Sequence, residues 1–281
     1  MEVRRAKTSG FCFGVSLALE KLDAEVEKHD TPIATLGPII HNPQVLKRYE
    51  DLNVRCLEHA EEAKSDERVV IRAHGVPRDT ETTLTESCEE VVDATCPKVK
   101  RAQLGILNMI NKGCFLLLYG EKDHPEVRGL MSYADDKAFL FNSLEELKKF
   151  PLSADIDYCL AAQTTQDREE FAQIDTYLQE QLHERLQVLN TICNATRERQ
   201  QEAIALAKEV DAMVVVGGYS SGNTRRLADV SRAQGCPTFH VEQPEELSAS
   251  DFAGMKVVGL TAGASTPRSI IDATEEFLNT L

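Results

Sequence analysis

Short, nearly continuous runs of Val, Ile and Leu alternate with helical patterns along this chain, and this alternation constrains its fold more than any other feature. Strands that are apolar on both faces belong to parallel sheets covered by helices. Ligands bind beyond the carboxyl ends of such strands. The sequence therefore predicts an α/β fold with mostly parallel sheets. The polar loops that follow the runs, and so form the predicted ligand-binding ends, lie at residues 35–45, 69–77, 115–127, 158–167, 213–227 and 257–267.

Three of the eight cysteines share one position in this pattern. Cys12, Cys96 and Cys193 each follow a short extended segment and precede a helical pattern, with spacings of 84 and 97 residues. A thiol at the start of a helix has a lowered pKa and is suited to metal ligation. No CxxC pair occurs, which excludes zinc ribbons and thioredoxin-like sites. Of the other five cysteines, Cys88 lies in a polar run and gives no indication of a role. The remaining four lie in short apolar runs and are interpreted as small buried hydrophobes; they are Cys56, Cys114, Cys159 and Cys236.

The repeated cysteine position predicts three similar α/β units. We place them at residues 14–97, 98–193, and 194–281 together with 1–13. Arranged pseudo-threefold, their strand ends would face a common centre that holds a metal group. The alternative is one doubly wound domain whose loops look alike because strand-to-helix turns favour Gly, Pro, Ser and Thr. That alternative does not explain one cysteine at the same place in each unit.

The charge and hydropathy of the chain exclude several partner classes. The net charge is −15, with 31 Lys and Arg against 46 Asp and Glu, so neither nucleic acid nor an anionic membrane is an expected partner. The longest apolar runs have about six residues, against the roughly 20 that span a bilayer. The first residues lack the apolar stretch of a signal peptide. We therefore expect a cytoplasmic protein.

The three cysteines and the loop residues together indicate a metal centre beside an anion site. With His41, His74 and His124, the thiolates could hold zinc or an iron–sulfur cluster. Three cysteines on a four-iron cluster leave one iron open, as substrate activation requires. The other loop residues are short hydrogen-bonding groups suited to a small anion; they are Asn42, Thr164, Thr165, Ser221, Asn223, Ser265 and Thr266. Glu126 is the one acid that follows a loop His as His-Pro-Glu, and an enclosed carboxyl group can act as an acid.

Eight short motifs in one order carry a resemblance to a known family. They are FCFGV at 11–15, GPIIHNP at 37–43, AHGVP at 73–77, ATCP at 94–97, HPEV at 124–127, QTT at 163–165, TICNAT at 191–196 and TAGAS at 261–265. Together they resemble 4-hydroxy-3-methylbut-2-enyl diphosphate reductase, the terminal enzyme of the methylerythritol phosphate route to isoprenoids. The resemblance runs from residue 11 to at least residue 269.

The resemblance implies a role for each of these residues. Cys12, Cys96 and Cys193 would hold one [4Fe–4S] cluster with an open iron. Thr164 and His124 would assist binding of the substrate hydroxyl, and Glu126 would supply the proton with which its oxygen leaves as water. The diphosphate would be held by His41, His74, Ser221, Asn223 and Ser265. Two electrons, from a donor of the reduced ferredoxin or flavodoxin type, and two protons would give isopentenyl and dimethylallyl diphosphates. We expect a monomer.

One departure from the family pattern and two rival functions bear on this prediction. The family usually has Ser-Ser-Asn where this chain has Ser221-Gly222-Asn223, which removes one hydroxyl from the predicted diphosphate site. A quinolinate synthase-like enzyme also resembles three α/β units around a three-cysteine cluster, but the His-Pro-Glu and QTT loops favour the reductase. An iron–sulfur carrier or redox sensor would have no use for six polar loops around an open iron.

Overall fold

The computed structural model describes residues 1–28 and 31–281, and in these ranges the chain forms twelve strands and ten α-helices. The strands are β1 (Glu2–Arg5), β2 (Ile33–Leu36), β3 (Arg55–Leu57), β4 (Arg68–Ile71), β5 (Glu90–Asp93), β6 (Phe115–Tyr119), β7 (Ala138–Phe141), β8 (Tyr158–Ala162), β9 (Leu186–Val188), β10 (Ala212–Val216), β11 (Thr238–Val241) and β12 (Val257–Ala262). The helices are α1 (Phe13–Lys28), α2 (Pro43–Asp51), α3 (Arg78–Ser87), α4 (Pro97–Asn111), α5 (Pro125–Met131), α6 (Leu144–Leu147), α7 (Arg168–Leu182), α8 (Asn194–Ala207), α9 (Gly222–Arg232) and α10 (Arg268–Asn279).

The described strands form three parallel sheets of four strands each. An α-helix lies between most successive strands, and short 3₁₀ helices lie between β3 and β4 and between β11 and β12. The strand orders are β3-β2-β4-β5, β7-β6-β8-β9 and β11-β10-β12-β1. All neighbouring strands pair in parallel. The order is the same in each sheet, except that the last position of the third is filled by β1 from the start of the chain. The predicted α/β fold with three similar sheets is confirmed.

Apolar packing covers both faces of the second sheet, as its continuous apolar strands predict. On one face Leu117 and Leu160 pack with Ile174 of α7. On the other face Leu116 and Cys159 belong to a cluster with α4. Successive residues of a strand point to opposite faces, so β6 and β8 must be apolar at every position to supply both clusters. The two strands that carry the polar loops of this sheet are therefore fixed from both sides.

By their internal contacts, the described residues separate into two compact bodies. The terminal body contains residues 1–16, 40–49 and 194–281, and with them the third sheet. The central body contains residues 17–39 and 50–193, apart from the two that lie outside the described ranges, and with them the first and second sheets. The proposed boundaries at 13/14, 97/98 and 193/194, like the pseudo-threefold arrangement around a centre, stay a prediction.

The strand ends carry the loops that the sequence singles out. β4, β6 and β8 end at residues 71, 119 and 162, just before the loops with His74, His124 and Thr164. In the terminal body, β10 and β12 end at residues 216 and 262, before the loops with Ser221 and Ser265. The predicted placement of polar loops at carboxyl ends of parallel strands is thus correct. No helix in the described ranges combines the length and the hydropathy needed to cross a bilayer.

Candidate active site

Each of the three singled-out cysteines lies between the end of a strand and the first residue of a helix. Cys12 directly precedes α1, Cys96 precedes α4 and Cys193 precedes α8. All three are partly exposed, whereas Cys114, Cys159 and Cys236 are buried. The interpretation of Cys56 as a buried hydrophobe is wrong: it is exposed, because it lies on β3 at the edge of the first sheet.

The backbone of each of these cysteines makes the same hydrogen bond. The Cys96 N–H donates to the carbonyl of Ala73 at 2.9 Å, and the Cys193 N–H donates to the carbonyl of Thr164 at 2.9 Å. In the terminal body the Cys12 N–H donates to the carbonyl of Ala264 at 3.1 Å. Each acceptor belongs to the loop after the third strand of a sheet. One cysteine is thereby tied to one polar loop in all three sheets.

Glu126 and Thr164 form the tightest polar contact among the predicted catalytic residues. One carboxylate oxygen of Glu126 accepts the backbone N–H of Thr164 at 2.6 Å, and the other accepts the Thr164 hydroxyl at 2.9 Å. Glu126 is 1% exposed. Burial raises the pKa of its carboxyl group to about 7, against the opposing effect of the two hydrogen bonds. A group with such a pKa can hold a proton and release it near neutral pH.

His124 caps the helix that carries Glu126, and this bond sets its tautomer. Its Nδ1 accepts the backbone N–H of Glu126 at 3.2 Å at the start of α5. An accepting Nδ1 leaves the proton of the neutral ring on Nε2. His74 lies at right angles to His124, with ring centroids 5.3 Å apart. The central body thus brings the imidazoles of His74 and His124 together. The carboxyl group of Glu126, bonded to Thr164, lies next to His124.

Close packing fixes the loop of His74 against helix α4. Gly75 has a φ of +71°, a backbone conformation that residues other than glycine rarely adopt. A Cβ atom there would lie 2.9 Å from Nε2 of Gln103 and 3.1 Å from a methyl group of Thr95. Only glycine therefore lets the His74 loop approach Thr95 and the helix that follows Cys96.

In the terminal body, Ser221, Asn223 and Ser265 are each 6% exposed. Ser221 caps α9 and accepts the Thr224 N–H, while the Ser265 hydroxyl donates to the carbonyl of His41 at 3.0 Å. Within the described ranges, Nδ2 of Asn223 has no hydrogen-bond partner in the structure. Buried donors normally have partners. An N–H donor aimed at a site with no acceptor is what an anion-binding position requires.

Helix α9 approaches the ends of its strands more closely than a side chain would allow. A Cβ atom on Gly263 would lie 2.0 Å from Oγ1 of Thr224 on α9, and one on Gly217 would lie 3.0 Å from the same atom. Gly222 is the first residue of α9. The position where the family usually has a second serine is therefore a helix N-terminus in this chain. Backbone N–H groups there lack intrahelical acceptors.

Comparison with known proteins agrees with this geometry. The model of the LytB protein family matches residues 3–279. The chain is similar to 4-hydroxy-3-methylbut-2-enyl diphosphate reductases from Oleidesulfovibrio alaskensis and Nitratidesulfovibrio vulgaris, each 58% identical over 281 residues and covered over 100% of both chains. The chain belongs to the LytB family.

Solved structures of similar proteins agree with the LytB fold. A structure of the E-1-hydroxy-2-methyl-but-2-enyl-4-diphosphate reductase from Plasmodium falciparum superposes with a TM-score of 0.93 at 24% identity, covering 100% of this chain and 87% of the other. A structure of (E)-4-hydroxy-3-methyl-but-2-enyl diphosphate reductase, the terminal enzyme of the non-mevalonate pathway, superposes with a TM-score of 0.71 at 38% identity, covering 100% of both chains.

Two predicted binding residues of this LytB chain make structural bonds, and the sequence reasoning missed one buried side chain. Thr266 donates its hydroxyl to the carbonyl of Val216, and Thr165 accepts from Nε2 of Gln163. Gln163 is fully buried and its Oε1 accepts the N–H of Glu121. It therefore joins the loop after β8 to the loop after β6. Its place in the QTT motif was a signal that could have found it.

The raised pKa of Glu126 predicts a pH-dependent stability. The folded carboxyl group binds its proton more tightly than the unfolded one, whose pKa is about 4.5. The free energy of unfolding should therefore fall as pH rises between about 4.5 and 7, by about 2–3 kcal/mol between pH 5 and pH 8. Glu126→Gln should lack this component. Urea unfolding of the metal-free protein at both pH values measures it.

The exposed carboxylate of Asp123 in the same loop supplies the matched control. Asp123→Asn should keep the wild-type difference between the two pH values. Identical pH dependence in Glu126→Gln and the wild type would contradict the assignment of a raised pKa to this carboxyl group.

Proposed function

We propose that this protein reduces 4-hydroxy-3-methylbut-2-enyl diphosphate to isopentenyl and dimethylallyl diphosphates, the last step of the methylerythritol phosphate pathway. Its full-length relatives carry the name of that reductase. The observation that carries the proposal for this chain is the buried Glu126 held by Thr164 beside His124. A hydroxyl group is a poor leaving group, and this arrangement offers it a buried carboxyl group that can be protonated near neutral pH.

We infer that Cys12, Cys96 and Cys193 hold one [4Fe–4S] cluster with an open iron. The donor set supports this assignment, since three partly exposed thiols precede helices and make the same backbone hydrogen bond, while the remaining cysteines do neither. When bound, such a group supplies a Lewis acid and a path for electrons. Zinc would supply the first but not the second.

Glu126 is assigned the role of proton source. Its carboxyl group is protonated in a substantial fraction of molecules near neutral pH, because burial raises its pKa to about 7. After the proton leaves, the two hydrogen bonds from Thr164 stabilise the carboxylate that remains. The Thr164 hydroxyl also has lone pairs with which it can accept a hydrogen bond from a substrate hydroxyl.

His74 and His124 are assigned to substrate binding, together with the donors of the terminal body. A neutral His124 with its proton on Nε2 is a hydrogen-bond donor on the side of the ring away from Glu126 N–H. Asn223, Ser221, Ser265 and His41 would share the diphosphate. The first three are buried, and α9 adds backbone N–H groups at Gly222. The Ser265 hydroxyl would have to exchange its bond to the His41 carbonyl for one to the anion.

The two rival functions are less well supported. A quinolinate synthase-like reaction is a condensation and dehydration without net electron uptake, and the His-Pro-Glu and QTT loops that carry Glu126 and Thr164 favour the reductase. A cluster carrier needs neither the acid nor the buried donors around Asn223. We further propose that the enzyme acts as a cytoplasmic monomer with a ferredoxin-type or flavodoxin-type electron donor.

The ligand assignment predicts which cysteines are needed for iron. Replacing Cys12, Cys96 or Cys193 by Ser should remove most of the iron per chain after anaerobic purification, because each supplies one of three thiolates. Cys56→Ser is the control, since Cys56 is also accessible but lies on an edge strand. Retained iron in Cys96→Ser together with lost iron in Cys56→Ser would refute the assignment.

The diphosphate site predicts a binding defect without a cluster defect. Loss of a hydrogen bond to a charged group costs about 1.5–3 kcal/mol, so Asn223→Ala should raise KM about 10-fold or more. The iron content and the cluster spectrum should be unchanged. Asn142→Ala, on an exposed residue, is the control. The site is misassigned if Asn223→Ala keeps the wild-type KM or if inorganic diphosphate does not compete with substrate.

The proton role predicts a turnover defect without a binding defect. In Glu126→Gln the amide oxygen can still accept the Thr164 N–H, and the amide N–H can donate to the Thr164 hydroxyl, so fold and substrate affinity should be kept. Turnover should fall at least about 100-fold, because a positioned acid contributes typically 10²–10⁴-fold. Rapid-quench assays should find substrate bound with its oxygen still attached. Near-normal turnover would remove Glu126 from the mechanism.

A further inference from the structure

Helix α4 has an unusual charge for this chain. It contains three cations and no acid, whereas every other described helix of the protein contains at least one acid. It lies in residues 94–120, the longest stretch of the sequence without Asp or Glu, although the chain has 46 acids in 281 residues. An acid-free helix in so acidic a protein is a local positive feature.

The cations lie at the end of the helix where they are least favourable. The helix dipole makes the N-terminus positive, so acids are favoured there and cations are not. Lys98, Lys100 and Arg101 all lie within the first five residues of α4. Lys100 is paired with Asp93 at 2.8 Å and Glu81 at 3.5 Å. In the described part of the chain, Lys98 and Arg101 have no carboxylate within 4.0 Å.

The unpaired cations share an exposed stripe with a large apolar side chain. Val99, Ala102 and Ile106 face the core, whereas Lys98, Arg101 and Leu104 are exposed, Leu104 by 57%. Protein interfaces combine apolar contacts with polar and charged groups, and this stripe places one exposed leucine next to two cations. The stripe begins two residues after Cys96, and Arg101 lies about 7.5 Å from Cys96 along the helix axis.

We propose that the α4 stripe, Lys98, Arg101 and Leu104, is the docking surface for a small acidic electron-carrier protein. The inference rests on the proposed function and names where its electron donor binds. A negatively charged partner protein is complementary to this surface, because its attraction to the two cations offsets their unfavourable interaction with the helix dipole. It also lets a chain of net charge −15 bind another acidic protein at one surface.

The electron balance fixes how the surface is used. Reduction of the allylic alcohol breaks one carbon–oxygen bond, forms one carbon–hydrogen bond and releases one water, consuming two electrons and two protons. A one-electron carrier is oxidised once per encounter, so two reduced carriers must bind and leave in each turnover. Such a contact needs fast association and fast release, which electrostatic steering to a small surface provides.

The test is charge reversal on the stripe of the cluster-loaded enzyme. The variant Lys98→Glu/Arg101→Glu is compared with Lys112→Glu/Lys137→Glu, which makes the same change in net charge at two other exposed lysines. The partner probe is reduced plant-type ferredoxin, a small acidic protein. The small-molecule probe is reduced methyl viologen. Affinity for oxidised ferredoxin, measured by calorimetry at low salt, gives a readout independent of turnover.

Lys98→Glu/Arg101→Glu should weaken ferredoxin binding and raise the KM for ferredoxin at least 10-fold. The affinity of this variant for ferredoxin should also depend less on salt concentration than that of the wild type. Its viologen-driven turnover, iron content and cluster spectrum should stay within twofold of the wild type. The control should keep the wild-type affinity. Equal losses in both variants, an unchanged ferredoxin affinity, or a parallel loss with viologen would overturn the docking proposal. A wild-type enzyme without viologen-driven turnover would instead overturn the proposed function.

Discussion

A backbone hydrogen bond from a cysteine to a strand-end loop is the interaction on which the rest of this structure depends. It occurs once in each sheet, at Cys96, Cys193 and Cys12, with distances between 2.9 and 3.1 Å. Because the donor is an amide, the bond survives any change of the thiol and fixes the helix start whether or not a metal is bound. The same bond holds the loop that carries His74, Thr164 or Ser265. In each sheet, the proposed metal ligand is therefore bonded to the loop that carries a proposed substrate-binding residue.

Much of this framework could be predicted from the sequence. Continuous apolar runs such as β8 and β10 predict parallel sheets, since each position of such a strand must be apolar when helices cover both faces. The repeated place of cysteine before a helix predicted three equivalent sheets. The third sheet completes the same strand order with β1 from the start of the chain. The grouping of residues 1–13 with 194–281 as one unit stays a prediction.

What the sequence could not give is the pairing of side chains from distant segments. Glu126 and Thr164 are 38 residues apart, and nothing local to either specifies that both carboxylate oxygens are used. Burial of Cys56 was wrongly expected because strand position in a sheet, central or edge, depends on pairing and not on the apolar run itself. The link made by Gln163 was missed for the same reason, because its partner Glu121 lies on another strand-end loop.

The environment of Glu126 explains how one carboxyl group can be stable in both protonation states. Within the described residues, no charged group contributes to its pKa; burial raises it and Thr164 lowers it. A nearby cation would hold the carboxylate ionised and remove its proton before reaction, whereas burial without Thr164 would raise the pKa further and resist proton release. The two neutral donors of Thr164, its backbone N–H and its hydroxyl, have an effect on the pKa between that of a cation and that of burial alone. They leave the acid with a pKa of about 7.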